Sequence, residues 1–262
     1  MERLTAKQNE KIKSATSIRD SAKMRRESGL FFLEGARLCA DAAENGVSVY
    51  RAFFTQKALE KYASYADKII ASAQETYEIS EEISSKLSDT QNPQGIFCLC
   101  RAESKDAVTA DVKPDGKYIF LENVQDPSNL GAVSRTVEAL GIDGLFVCGG
   151  CDIYNPKALR ASMGSALRLP VYTCDDAVQL IEMLNKKGML TLASTPDSSA
   201  ELITQVKMEG GVICVVGNEG NGVTAQTMAA CEKRITIPMD GRAESLNAST
   251  AAAILIWEMV RR

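Results

Sequence analysis

From Lys117 to the end, the chain repeats one pattern: a short apolar run, a polar or glycine-containing loop, then a segment of helical periodicity. The apolar runs fall at 118–122, 144–148, 190–194, 212–216 and 234–237, with a weaker one near 171–173. Helices are predicted at 129–140, 156–163, 176–187, 222–231 and 246–261. Parallel neighbours cannot be joined by hairpins and need crossover helices, so this alternation predicts a mainly parallel sheet covered on both faces. Ligands of such sheets gather beyond the carboxyl ends of the strands. Those ends are where functional residues are expected.

The first hundred residues read as a smaller α/β unit. A charged helical segment ends near Glu27-Ser28-Gly29, LFFLEG is a strand with a glycine stop, and ARLCADAAENG is an amphipathic helix closed by Asn45-Gly46. VSVYRAFFT, ALEKYASYADKII, ETYEIS, EEISSKLSD and QGIFCLCRA continue as strand, helix, strand, helix and strand. The expected organisation is a domain over 1–101, a polar linker over 102–116 with its Pro114-Asp115-Gly116 turn, and a larger domain over 117–262.

Composition removes several classes of function. A chain of 262 residues with 45% hydrophobic and 24% charged residues is that of a soluble globular protein. No apolar run approaches the roughly 20 residues that span a bilayer, and the charged start lacks a signal-peptide core, so a cytoplasmic location is expected. The net charge of −4 argues against a surface coated for non-specific nucleic-acid binding, without excluding a local basic patch. Eight cysteines scattered through apolar strands read as reduced core thiols. Cys148-Gly-Gly-Cys151, with no second pair, reads as two ordinary thiols and not half a metal site. There is no histidine, which removes imidazole from any acid–base role and most zinc hydrolase sites.

Three constellations stand at the predicted strand ends. In ENVQDPSNLGAVSRTVEALG (122–141), Asp126, Ser128 and Asn129 suit a helix start and Gly141 a helix stop. Leu130, Val133, Val137 and Leu140 form one apolar stripe, and Arg135 lies about 200° from Val133 and Val137 and points away from it. Taken alone, this is equally a capped helix with a solvent-facing arginine. In VICVVGNEGNGV (212–223) a strand runs into Gly217, Gly220 and Gly222, but no GK[ST] follows, and Glu219 would repel a pyrophosphate. That loop suits a neutral or cationic ligand with hydroxyls, an arginine partner, or only a tight turn. In IPMDGRAESLNAST (237–250), Ser245 or Asn247 can cap the last helix, but capping does not account for Glu244, Ser245, Asn247, Ser249 and Thr250 together.

Taken together and in this order, Asn129 with Arg135, GNEGNG and IPM…ESLNAS resemble the SpoU (TrmH-like) family of RNA ribose 2′-O-methyltransferases, in the SPOUT superfamily. NPKALRASMGSALRLPV (155–171) is similar to the family's stretch between the first two blocks, and LFFLEGARLCADA to the substrate-binding domain of its ribosomal-RNA-modifying branch. The resemblance implies a deep trefoil knot in the C-terminal domain, a homodimer formed through that domain, and active sites completed by the partner chain. It implies S-adenosylmethionine as cofactor, bent in the knot against Ser194, Thr195, Gly217, Asn218, Glu219, Gly222, Ile237, Met239, Ser245 and Leu246. It assigns Asn129, Arg135, Glu219, Ser245 and Asn247 to catalysis. Arg135 would act as a proton acceptor with a depressed pKa or as a cation stabilising developing oxyanion charge; arginine's persistent protonation favours the second role. Asn129 would orient Arg135 or hold the target nucleotide, Glu219 would bridge to Arg135 or a polar ligand group, and Ser245 and Asn247 would bond ribose or phosphate. Arg160, Ser162 and Arg168 would contact RNA phosphates. The implied substrate is RNA, 23S ribosomal RNA ahead of tRNA, with a catalytically inactive RNA-binding member of the fold as the remaining alternative. Neither metal nor membrane is implied.

Overall fold

The strand–helix alternation read from the sequence is present in both halves of the chain. The computed structural model describes residues 1–103 and 105–261. They fall into two units, Met1–Glu103 with Tyr154–Leu167, and Ser104–Ile153 with Arg168–Arg262.

The first unit opens with β1 (Glu2–Leu4), then α1 (Glu10–Asp20) and α2 (Ala22–Ser28). The charged helical segment expected from sequence is built as two helices because the Ser21 side chain accepts from the Met24 amide and starts a new helix there. Gly29, at φ 63°, ends α2 in the left-handed conformation that glycine adopts without strain. There follow β2 (Leu30–Glu34), α3 (Ala36–Glu44), β3 (Val49–Thr55), α4 (Gln56–Lys61), α5 (Ala63–Ser72), β4 (Glu75–Ile79), α6 (Glu81–Leu87) and β5 (Ile96–Arg101). The sheet order is β1-β4-β3-β5-β2, with β5 antiparallel to both neighbours and the other pairs parallel. Phe32, Phe53, Phe97 and Leu99 meet Ile12 and Ile83 in its core.

The chain continues through β6 (Lys117–Glu122), α7 (Pro127–Ala139), β7 (Gly144–Cys148), α8 (Pro156–Ser162), α9 (Ser165–Arg168), β8 (Val171–Cys174) and α10 (Ala177–Lys186). It ends with β9 (Leu190–Ser194), β10 (Glu201–Leu202), β11 (Val212–Val216), α11 (Ala225–Ala230), β12 (Lys233–Thr236) and α12 (Ala248–Val260). Seven strands form one parallel sheet in the order β10-β12-β9-β11-β6-β7-β8. Phe120, Phe146, Leu180, Leu184, Ile213 and Val215 build one core layer of this unit. The predicted stripe of α7 is buried at Leu130, Val133 and Val137, and α12 packs on α7, β6 and β11.

Two boundaries differ from the sequence reading. Most of the stretch 102–116, expected to be a linker, is built into the second unit from residue 105 on: Ala107 and Ala110 are buried in its core, and the Lys105 carbonyl accepts from the Thr173 amide at 2.9 Å. Two isolated alanines between polar residues carry no periodic signal, so composition alone read as a tether. The segment 154–167, expected in the larger domain, groups with the first unit. There Tyr154 stacks on Phe31 with ring centroids 4.5 Å apart, and α8 packs on β2. Only a long-range contact places this segment, and no local pattern encodes it. No helix among the described residues is long and apolar enough to cross a membrane, and their eight cysteines are free thiols.

Glu122 closes β6 and is 2% exposed. Its carboxylate accepts from the Thr224 amide at 2.8 Å and from the Thr224 and Thr227 hydroxyls at 2.8 and 2.6 Å. It therefore anchors the start of α11 beneath the loop that follows β11. Glu122→Ala strands the buried Thr227 hydroxyl and removes the acceptor of the part-buried Thr224 donors, and the expected loss is about 2–3 kcal/mol of stability. Urea unfolding measures it, and an unchanged midpoint would show that the anchor contributes nothing.

Candidate active site

β12, β9 and β11 lie side by side, and the loops leaving their carboxyl ends curl with the first turn of α12 around a cavity of about 350 Å³. The loop after β9 supplies Ser194 and Thr195, and the loop after β11 supplies Gly217, Asn218, Glu219 and Gly222. The loop after β12 supplies Ile237, Met239, Ser245 and Leu246. Every residue that the resemblance assigned to the cofactor thus lines one cavity. The structure adds Pro196, Val216, Gly220, Asn221, Glu244, Ala248 and Ala251. Of these, Ala248 and Ala251 had a legible signal: small residues at i, i+3 on the first turn of a helix leave one face open.

Gly217 is where the β11 loop turns back on itself. The Asn218 amide donates to the Gly222 carbonyl at 3.0 Å and the Gly222 amide to the Asn218 carbonyl at 2.9 Å, with Gly222 at φ 67°. A Cβ on Gly217 would stand 2.0 Å from the Gly222 carbonyl carbon and 2.1 Å from the Val223 nitrogen. Only glycine permits this approach. The Asn218 side chain fixes the loop further, accepting from the Gly220 and Asn221 amides at 2.9 and 3.0 Å and donating to the Asn123 carbonyl at 2.9 Å.

The three constellations meet in one chain of hydrogen bonds. The Glu219 carboxylate accepts from the backbone amides of Gln125 and Asp126 at 3.0 and 3.1 Å and from Asn129 Nδ2 at 2.9 Å. Because Asn129 donates there, its Oδ1 faces Asn247, whose Nδ2 donates to it at 3.0 Å. Asn247 Oδ1 then caps α12, accepting from the Ser249 and Thr250 amides at 2.9 and 3.3 Å. Desolvation opposes the charged form of Glu219, but the hydrogen bonds from Gln125, Asn129 and Asp126 outweigh it and hold the carboxyl below its usual range. Glu219 is therefore an ionised clasp between the β11 loop and the start of α7.

Of the alternatives expected for these two residues, the contact with Arg135 is not made: neither Glu219 nor Asn129 bonds to it among the described residues, and both side chains engage in the clasp. Arg135 stands exposed on the far side of α7 from the buried stripe, and no hydrogen bond or ion pair engages it among the described residues. The expected phosphate contacts differ as well. Ser162 is fully buried and donates to the Leu159 carbonyl at 2.8 Å, so it presents nothing to a phosphate. Arg160, in the first unit, is neutralised by Asp89 at 2.6 Å, and Arg168, in the second, is paired with Glu138. A sequence shows that an arginine is present but not that a carboxylate distant in the chain already holds it.

A parallel α/β domain whose strand-end loops enclose a nucleoside-sized cavity defines a class: an enzyme domain that binds its cofactor at the sheet's carboxyl edge. Residues 116–257 match the SpoU rRNA Methylase family, and residues 9–98 match the MRM3-like substrate binding domain. The protein belongs to the SpoU rRNA methylase family. It is 27% identical over 260 residues to the 23S rRNA (guanosine(2553)-2′-O)-methyltransferase RlmP of Bacillus subtilis, covering 99% of each chain. It is 25% identical over 267 residues to the 23S rRNA (uridine(2479)-2′-O)-methyltransferase of Streptomyces viridochromogenes, covering 99% of this chain and 92% of that one. Its fold is shared with the AdoMet-bound rRNA methyltransferase of Sinorhizobium meliloti, with a TM-score of 0.87 at 23% identity over 99% of this chain and 97% of that one.

Proposed function

We infer that this protein transfers a methyl group from S-adenosylmethionine to the 2′-hydroxyl of a ribose in ribosomal RNA, with 23S RNA as the substrate. The observation that carries this reading is the Glu219–Asn129–Asn247 chain, which joins all three family motifs beside one cavity. The 350 Å³ cavity fits an adenosine with a short aliphatic tail: glycine backbone on one side, Ile237, Met239 and Leu246 on another, and hydroxyls from Ser194, Thr195 and Ser245. The cofactor, when bound, supplies an electrophilic methyl carbon on a sulfonium. The new bond would join that carbon to the ribose 2′-oxygen, the S–CH₃ pair would stay on sulfur, and the hydroxyl proton would be lost to water.

The chain's own part is to position and polarise. The clasp holds the start of α7 against the glycine loop, which fixes where Arg135 emerges. As a cation with no hydrogen-bond or ion-pair partner among the described residues, Arg135 is available to an RNA phosphate or to the developing oxyanion. Ser245, exposed on the cavity rim, is available to ribose or phosphate, whereas Asn247 acts through Asn129 and the α12 cap. The trefoil knot belongs to this reading: α12 packs on β6 and β11 directly after the loop that closes the cavity, as a threaded C-terminal segment requires. So does a cytoplasmic homodimer. Trp257, 57% exposed on α12, is a side chain that a second copy would cover. Sedimentation at micromolar concentration should give twice the 28.3 kDa chain mass, and a monomer would overturn the dimer.

The reading is tested by incubating the protein with labelled S-adenosylmethionine and with 23S RNA, 16S RNA and tRNA from cells lacking it. Label is then mapped by resistance to alkaline cleavage. A 2′-O-methyl mark in 23S RNA supports the reading. A mark in tRNA keeps the chemistry and overturns the substrate, and cofactor binding without transfer to any RNA or ribosomal particle overturns the activity.

A further inference from the structure

The cavity wall holds two carboxylates and no lysine or arginine. The first, Glu219, is spent: its two oxygens take three donors from the chain itself. The second, Glu244, is not. It lies in the loop between β12 and α12, lines the cavity beside Ser245, and is exposed, and no hydrogen bond or ion pair engages it among the described residues. A ligand of the proposed kind meets a wall of fixed negative charge in which one carboxylate remains free to answer a cation.

Resting on the function proposed above, we infer that Glu244 is a charge-selecting residue, whose free carboxylate favours a cationic adenosyl ligand over its neutral counterpart. Methyl transfer supplies that contrast. The donor carries a sulfonium; once the methyl has left with the ribose oxygen, the electron pair stays on sulfur and the product is a neutral thioether of nearly the same shape. Glycine backbone, Ile237, Met239 and Leu246 grip the shared adenosyl part equally in both ligands and cannot tell them apart. A carboxylate at the rim can, because its attraction is lost with the charge. Glu219 cannot serve in its place, since redirecting its carboxylate would release the amides of Gln125 and Asp126. The consequence is a site that holds the donor and lets the spent product go.

Screening limits an exposed carboxylate to a modest effect, so the expected selectivity is about five- to tenfold. The test is calorimetric binding of S-adenosylmethionine, S-adenosylhomocysteine and sinefungin, which carries an ammonium near the sulfonium position, to the full-length protein and its Glu244→Gln variant. In the wild type, both cationic ligands should bind about five- to tenfold more tightly than S-adenosylhomocysteine. In Glu244→Gln they should lose that factor while S-adenosylhomocysteine keeps its affinity. Equal weakening of all three ligands would mean a neutral hydrogen bond and overturn the inference, as would an unchanged ratio. Glu244→Asp should retain part of the preference, which a merely structural side chain would not. Failure of the wild type to bind any of the three would overturn the functional reading itself, an outcome separate from an unchanged ratio.

Discussion

Replacing Arg135 with alanine should lower methyl transfer by at least about 100- to 1,000-fold while leaving the S-adenosylmethionine dissociation constant within about threefold of wild type. Losing one preorganised group that faces developing negative charge has that kind of cost. The separation of the two effects follows from the structure: Arg135 is exposed on α7 and does not line the cavity. Its side chain makes no hydrogen bond or ion pair among the described residues, so its removal should leave the unfolding midpoint in place. Arg135→Lys keeps the charge and loses the planar fork. Strong residual activity in that variant identifies a simple electrostatic role, and activity of Arg135→Ala near that of wild type would remove Arg135 from the mechanism. Single-turnover transfer and equilibrium cofactor binding, measured on the same preparations, decide the matter.

Gly217→Ala should weaken cofactor binding by about 100-fold or more, and transfer with it. The added methyl would sit within 2.2 Å of three backbone atoms of Gly222 and Val223, none of which is the flexible end of a side chain. The loop must open to admit it, breaking the paired Asn218–Gly222 bonds that form that side of the cavity. A near-attack geometry tolerates little displacement, so the loss should appear in binding and rate together. Because the strain is confined to a loop, the far-ultraviolet spectrum should stay native. Wild-type affinity in a folded Gly217→Ala protein would show that this turn does not shape the site.

The same glycine marks the limit of what local sequence reveals. A strand running into Gly217, Gly220 and Gly222 announces a turn where the backbone comes close to something. It does not say that the near neighbour is the chain's own Gly222–Val223 backbone, as the structure shows. The main strands and helices of both units were legible because each buries one stripe or two faces, and burial writes a period into the sequence. Short pieces with too few residues to carry a period were not: β1, β10 and the turn at Ala107–Thr109. Much of the cavity wall was legible through the family resemblance, since its residues sit in three loops at strand ends, two of which are family motifs.

By itself, then, the sequence determined the parallel sheet and the absence of imidazole chemistry, because each is written in local pattern or in composition, and it pointed to cavity residues only through the family resemblance. Only the tertiary structure decided what those residues do to one another. Glu219 became a clasp because residues 90 or more positions earlier in the chain bring three donors to it. Arg160 and Arg168 were neutralised by Asp89 and Glu138, and Ser162 was turned inward. Arg135 and Glu244 were left without a hydrogen-bond or ion-pair partner among the described residues. Whether a charge is spent or available depends on which groups share its few ångströms of space, and chain folding, not chain order, sets that neighbourhood.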